Sequence, residues 1–389
     1  MFYDPFPLVF ARAEGSRLES IDGDAYVDFL GEYTAGLYGH SNPVIMRRLH
    51  EVLDEGIVLG GYNRYEAEFA AELSSRFPSM QLLRFTNSGT EANLMALSAA
   101  TAHTGRQGIV VFDGAYHGGV LSFSIGVEAP NVPHDFRRLR YNDEPALRQF
   151  MQTAGNEIAA VIVEPMLGSG GNIPAAPSFL RALREETERA GALLIFDEVM
   201  TSRLGPSGMQ GRLAITPDLT TLGKYLGGGM SFGAFGGRAD IMERFDPSKP
   251  GSLPHAGTFN NNVLTMAAGL EGLRRILTPE VIDELNQRGD SLRTELNRAF
   301  DVGGVSLQAT GVGSLLSIHA VRGRISSAED LMAADQRIKE LLFFHLLEDG
   351  FWMARRGMIA LSLAVRDEEI AGLVESVRSF VERYGELIR

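Results

Sequence analysis

Of the 36 basic residues in this 389-residue chain only three are lysine, Lys224, Lys249 and Lys339, and the rest are arginine. Arginine cannot condense with an aldehyde, so each lysine matters for covalent chemistry. Lys224 stands in Thr221-Leu222-Gly223-Lys224-Tyr225-Leu226-Gly227-Gly228-Gly229, an apolar, glycine-rich setting. Burial there lowers the pKa of an amine towards the neutral, nucleophilic form. The plain alternative is a loop lysine that keeps its charge in water. Asp197 ends the apolar run Ala192-Leu193-Leu194-Ile195-Phe196, which puts a carboxylate at the mouth of a buried strand. Such a group needs a cation or strong donors, and a protonated pyridine nitrogen would serve. A helix cap or a Mg²⁺ partner would also explain it, but no G-x-x-x-x-G-K-[ST] loop accompanies it.

Three further segments offer contacts rather than reactions. Ser88, Gly89 and Thr90 lie between a strand and a helix, where free N–H groups and the helix dipole attract an anion; an ordinary N-cap with Glu91 in the first turn is the alternative. Tyr116, in Phe112-Asp113-Gly114-Ala115-Tyr116-His117-Gly118-Gly119, could stack on a planar heterocycle or simply pack. His117 reads as a structural histidine, because no second ligand lies at metal spacing, and no metal is expected. Thr258, before Asn260-Asn261-Asn262, is a second possible phosphate contact. Arg355 and Arg356 sit between two short strand-like runs, where either guanidinium could grip a carboxylate bidentately or remain a solvated loop residue.

The elements that must position these residues follow from periodicity. Leu18 to Phe29 alternates around Asp22-Gly23 and predicts a hairpin. Helical periods run from Pro43 to Glu55 and from Tyr65 to Arg76. Ile109 to Phe112, Ala159 to Val163, Leu193 to Phe196 and Gly233 to Gly237 read as buried strands, and Thr90 to His103 and Ser178 to Ala190 as helices, the second ending at Gly191. Alternation of this kind predicts a parallel sheet with ligands at the carboxyl ends of its strands. Beyond about residue 261 come two long helices, a strand at Leu315 to His319, a helix from Ser327 to Leu347, strands near 351–354 and 359–364, and a final helix from Glu368. The expected division is residues 1–50 as the first part of a small domain, 51–270 as a large α/β domain that binds the cofactor, and 271–389 as the rest of an α+β small domain.

Composition narrows the partners. A net charge of −13 without a basic run argues against nucleic acid. No stretch reaches the roughly 20 apolar residues of a membrane span. Cysteine is absent, and the start Met1-Phe2-Tyr3-Asp4-Pro5 lacks a signal-peptide pattern, so a cytoplasmic location is expected.

Taken in order, these segments resemble the class III aminotransferases over nearly the whole chain. The likeness is carried by Tyr38-Gly39-His40-Ser41-Asn42-Pro43, Ser88-Gly89-Thr90-Glu91-Ala92, Tyr116-His117-Gly118, Glu164-Pro165, Asp197-Glu198-Val199-Met200-Thr201, Leu222-Gly223-Lys224, Gly233-Ala234-Phe235-Gly236-Gly237 and Gly257-Thr258-Phe259. The resemblance implies an α/β fold of the aspartate-aminotransferase-like type (fold type I), a homodimer, and pyridoxal 5′-phosphate (PLP) as cofactor. It implies Lys224 as the Schiff-base lysine, Asp197 as partner of the ring nitrogen, and Ser88, Gly89 and Thr90 on the phosphate, with Thr258 reaching it from the neighbouring subunit. Tyr116 and Val199 would flank the ring, Glu164 would stand close by, and His117 counts among the cofactor contacts. An amino acid or amine would be the donor and a 2-oxo acid the acceptor.

Within the class, Gly227-Gly228-Gly229 and Gly236-Gly237-Arg238 resemble glutamate-1-semialdehyde 2,1-aminomutases. Glu32-Tyr33-Thr34-Ala35-Gly36-Leu37-Tyr38-Gly39-His40 and Thr201-Ser202-Arg203-Leu204 look more like bacterial β-phenylalanine aminotransferases. A β-amino acid or aromatic amine is therefore the expected donor, with the aminomutase reaction as the alternative. Relatives also carry a longer N-terminal segment that can supply a carboxylate-binding arginine, and this sequence starts after it.

Overall fold

The computed structural model describes residues 7–388; the Met1 to Pro5 start, on which the targeting expectation rests, lies outside them. Among the described residues seven strands form the central sheet, in the order Leu82–Thr86, Gly233–Gly237, Leu219–Gly223, Leu193–Asp197, Ile158–Val163, Gly108–Phe112, Asp135–Leu139. All run parallel except Gly233–Gly237, which is antiparallel to both neighbours. The central strands are buried at every position because helices cover both faces of the sheet. One of these helices, Gly89–Thr104, packs on the sheet through Ala92, Ala96, Ala99 and Ala100, small residues that allow a close approach.

Two strands escape the hydrophobic pattern. Leu219–Gly223 is wholly buried despite Thr220 and Thr221, whose hydroxyls bond to Ser79 and Asn93 and so cost little to bury. Asp135–Leu139 is an edge strand with exposed arginines. The expected long helix from Ser327 is broken in two: a short 3₁₀ turn, Ala328–Leu331, is closed by a Ser327–Asp330 capping box. The helix proper, Gln336–Glu348, starts afresh at Asp335, which caps it.

The opening strands Phe10–Glu14, Arg17–Ser20 and Ala25–Asp28 make a second sheet, and its fourth member is Phe351–Trp352, parallel to Ala25–Asp28. The two ends of the chain are thus hydrogen-bonded together. A third sheet, Gln308–Val312, Leu315–His319 and Met358–Ala360, packs beside it under helices Pro279–Gly303 and Asp367–Tyr384. No helix among the described residues is long and apolar enough to cross a membrane.

Candidate active site

Every parallel strand of the central sheet except the Asp135–Leu139 edge delivers a site residue at one rim. Leu82–Thr86 leads to Ser88, Gly108–Phe112 to Tyr116 and His117, Ile158–Val163 to Glu164, Leu193–Asp197 ends on Asp197, and Leu219–Gly223 leads to Lys224. Asp197 is in register with Thr221 on the adjacent strand, so the carboxylate and Lys224 project from neighbouring strand ends.

Asp197 is 4% exposed and its carboxylate is held by three donors. Oδ2 accepts from Asn93 Nδ2 and from the His117 ring at Nδ1, each at 2.8 Å, and Oδ1 accepts from the Val199 N–H at 3.0 Å. Burial works against a charged His117, but the hydrogen bond to Asp197 and the charges of Asp197 and Glu164 together hold its pKa above the ordinary 6.5. Its other ring nitrogen, Nε2, is buried without a hydrogen-bond partner among the described residues.

Glu164 ties two loops together. Its Oε2 accepts from the Tyr116 N–H and its Oε1 from the Gly168 N–H, both at 3.0 Å. Burial raises its pKa to about 7; the charge of Asp197 adds to the rise, while His117 and the two N–H donors oppose it. The Tyr116 ring itself is 43% exposed at the rim.

Lys224 opens a 3₁₀ turn with φ of +57°, a left-handed conformation that costs a non-glycine residue about 1–2 kcal/mol. Burial lowers its pKa, and the nearby charge of Arg356 lowers it further against Asp197 and Glu32. The structure separates the two loop arginines. Arg355 pairs with Glu340 on helix Gln336–Glu348, with its guanidinium over the Phe344 ring. Arg356 lies 5.1 Å from the centroid of the Tyr33 ring and within the electrostatic reach of Tyr116, Glu164 and Lys224.

Ser88 caps helix Gly89–Thr104, its hydroxyl accepting from the Glu91 N–H at 3.2 Å, so the ordinary cap is present and its O–H remains free to donate. Gly89 is pressed against Val199: a Cβ there would come within 2.8 Å of one Val199 methyl, and a Cβ at Gly223 within 3.1 Å of the other. Val199 is thereby wedged between the anion-type loop and the lysine-bearing strand end. Thr90 packs on Gly118, where φ is +137° and any Cβ would overlap the threonine. Thr258 is exposed and makes no hydrogen bond to the Ser88–Thr90 loop; two residues on, Asn260 accepts from Asn87 at 2.9 Å.

Asn93, Thr221 and Tyr33 were not foreseen from the sequence. The signal for Asn93 was one amide in a stripe of alanines on the inner face of a helix. Among the described residues no group of three or more acidic or histidine side chains is arranged to hold a metal.

Comparison with known proteins places these observations in a family. Residues 2–381 match the family model described as Aminotransferase class-III. The chain is 53% identical over 388 residues to beta-phenylalanine transaminase of Variovorax paradoxus, covering 100% of this chain and 89% of that one. The crystal structure of the β-phenylalanine aminotransferase from that organism superposes with a TM-score of 0.98, covering 100% of this chain and 90% of the other. An omega-transaminase from Sphaerobacter thermophilus follows with a TM-score of 0.91 at 35% identity, over 97% of this chain and 92% of its own. Glutamate-1-semialdehyde 2,1-aminomutase 2 of Bacillus licheniformis is 34% identical over 97% of this chain and 91% of its own.

The His117–Asp197 pair generates a pH prediction. A histidine whose folded pKa lies above its unfolded value contributes stability that is complete below about pH 6.5 and lost as the pH rises through the folded pKa. Replacing His117 with Asn should therefore destabilise by about 1.5–3 kcal/mol at pH 6 and by less at pH 9. Urea unfolding of both proteins at the two pH values is the measurement, and an equal deficit at both would show that His117 is not charged in the fold.

Proposed function

The chain belongs to the class III aminotransferases, and from that premise we propose that Lys224 and Asp197 are its catalytic pair and a β-amino acid its amino donor. The protein is a PLP-dependent aminotransferase of fold type I. The observation that carries the site assignment is the nearness of a half-buried, pKa-lowered Lys224 to a buried Asp197 held by three donors, at adjoining strand ends.

The residues suit the cofactor. Asp197 Oδ1 has one acceptor position beyond the Val199 N–H, enough for a ring N–H. The N–H groups of Gly89 and Thr90 begin a 16-residue helix, with the Ser88 hydroxyl beside them, which suits a phosphate. Val199 and Tyr116 would flank the ring, with Glu164 holding the Tyr116 backbone. Bound PLP supplies an electron sink for the electron pair left when the donor loses a proton.

In this reading Lys224 would hold PLP through its aldehyde group. Its amine, kept available by the lowered pKa, would take the proton from the amine-bearing carbon of the donor and return it. Asp197 would hold a proton on the ring nitrogen. Arg356, facing Lys224, grips the donor's carboxylate and then that of the 2-oxo acid acceptor, since both use one pocket in turn. The Variovorax relative supports β-phenylalanine-like donors. Arg355, engaged with Glu340, has no part in this.

We extend the reading to a homodimer in which Thr258 reaches the partner's phosphate. In support, Val58 (84% exposed), Tyr62 (92%) and Phe259 (62%) form apolar surface near the site, on segments joined by the 2.7 Å bond from Asn63 to the Asn261 carbonyl. A cytoplasmic location completes the reading, and recovery with membranes or outside the cell on fractionation would overturn it.

Borohydride reduction of the PLP-loaded enzyme and peptide mapping should place the label on Lys224; a label on Lys249 or Lys339 would refute the assignment. Consumption of one added 2-oxo acid per donor is expected, whereas an aminomutase would consume none. Arg356→Ala should lower kcat/KM for a β-amino acid roughly ten- to a hundredfold relative to the matching amine without a carboxylate. Arg355→Ala should leave that ratio unchanged, and a reversal of the two results would exchange their roles. Light scattering of the loaded enzyme should give a dimer, and a stable active monomer would remove Thr258 from the site.

A further inference from the structure

Among the buried side chains of helix Gly89–Thr104, Asn93 is the polar one in a row of alanines and a leucine. A buried amide is costly unless its donors and acceptor are used, and those of Asn93 are. Its Nδ2 donates to Asp197 Oδ2 and to the His117 carbonyl, each at 2.8 Å, and its Oδ1 accepts from the Thr221 hydroxyl at 2.6 Å. The opposite amide orientation would turn its oxygen on a carboxylate and a carbonyl. The environment therefore fixes which end of the amide faces Asp197.

We propose that Asn93 is the positioning residue that aims Asp197 at the cofactor's ring nitrogen. The proposal rests on the PLP reading above and goes beyond it in assigning the carboxylate's lone pairs. A carboxylate has about four in-plane acceptor positions. On Oδ2 both are taken, by His117 and Asn93, and on Oδ1 one is taken by the Val199 N–H. One direction remains, on Oδ1, and a single ring N–H fills it. Without Asn93 the carboxylate can rotate to offer Oδ2, and it loses one of the donors that satisfy it in a buried site. Thr221, from the strand that delivers Lys224, locks the amide and so couples the two strand ends.

The test is a comparison of two ligands on the purified, cofactor-free enzyme: PLP, and its ring-carbon analogue in which CH replaces the ring nitrogen while the aldehyde and phosphate are retained. Binding is read from the absorbance of the bound aldehyde in wild type, Asn93→Leu, Asn93→Asp and Thr221→Val. Asn93→Leu should weaken PLP roughly ten- to a hundredfold, as expected for losing a charge-assisted hydrogen bond, while changing affinity for the carbon analogue by less than about threefold. Asn93→Asp should weaken PLP more, because it sets a like charge against Asp197. Thr221→Val keeps the amide, should show the same selective loss at smaller size, and decides the question if the Asn93 variants do not fold. Equal losses for both ligands, or none, would overturn the proposal and make Asn93 a packing residue. A wild type that binds no PLP would overturn the cofactor reading and this inference with it.

Discussion

A carboxylate at the end of a strand buried on both faces must have its oxygens satisfied without water, and much of this structure is arranged around that need. Asp197 cannot draw on water, so it draws on the Asn93 amide, the His117 ring and the Val199 N–H. Each comes from a different element: a helix, the loop after strand Gly108–Phe112, and the turn that follows Asp197 itself. A second buried carboxylate, Glu164, competes for the same positive charge, and its pKa rises to about 7. Glu164 joins the Tyr116 and Gly168 backbones, each of whose N–H groups it accepts from.

Around that charge the chain is brought unusually close to itself. Val199 occupies the space where side chains at 89 and 223 would stand, and Thr90 fills the space beside Gly118. The same rim carries left-handed backbone at residues with side chains: Lys224, and the consecutive Glu32, Tyr33 and Thr34. Asp28 holds the entrance to that second turn, accepting from the N–H groups of Leu30 and Gly31 and bonding to His40. Local strain of this kind persists where the surroundings over-determine it, and here it aims an amine and an aromatic ring that supports Arg356.

Much of this was legible in the amino-acid sequence because the proposed chemistry falls on residues whose types are rare in their settings: a lysine among glycines, an aspartate closing an apolar run, a polar loop before a helix. Hydrophobic runs located the central strands. Periodicity failed where polar side chains are buried but satisfied, as at Thr220 and Thr221, and where a strand lies at an edge, as at Arg137 and Arg138. It also could not separate Arg355 from Arg356, adjacent in sequence, because their difference comes from Glu340 and Tyr33, distant partners visible only in three dimensions. Asn93 was invisible for the same reason: its meaning lies in three atoms from three other elements.

The pairing of Ala25–Asp28 with Phe351–Trp352 bears on how the protein is made. Some 320 residues separate the partners, roughly 15–65 s of synthesis. Through that interval the N-terminal hairpin has one edge uncovered, and the turn bearing Tyr33 has not met Arg356. Ser88, Tyr116, Glu164, Asp197 and Lys224 all lie between residues 82 and 224 and are made more than a hundred residues before Arg356. In the reading proposed above, the nascent chain would carry its Schiff-base lysine, Lys224, well before Arg356, the residue that would choose what that lysine meets.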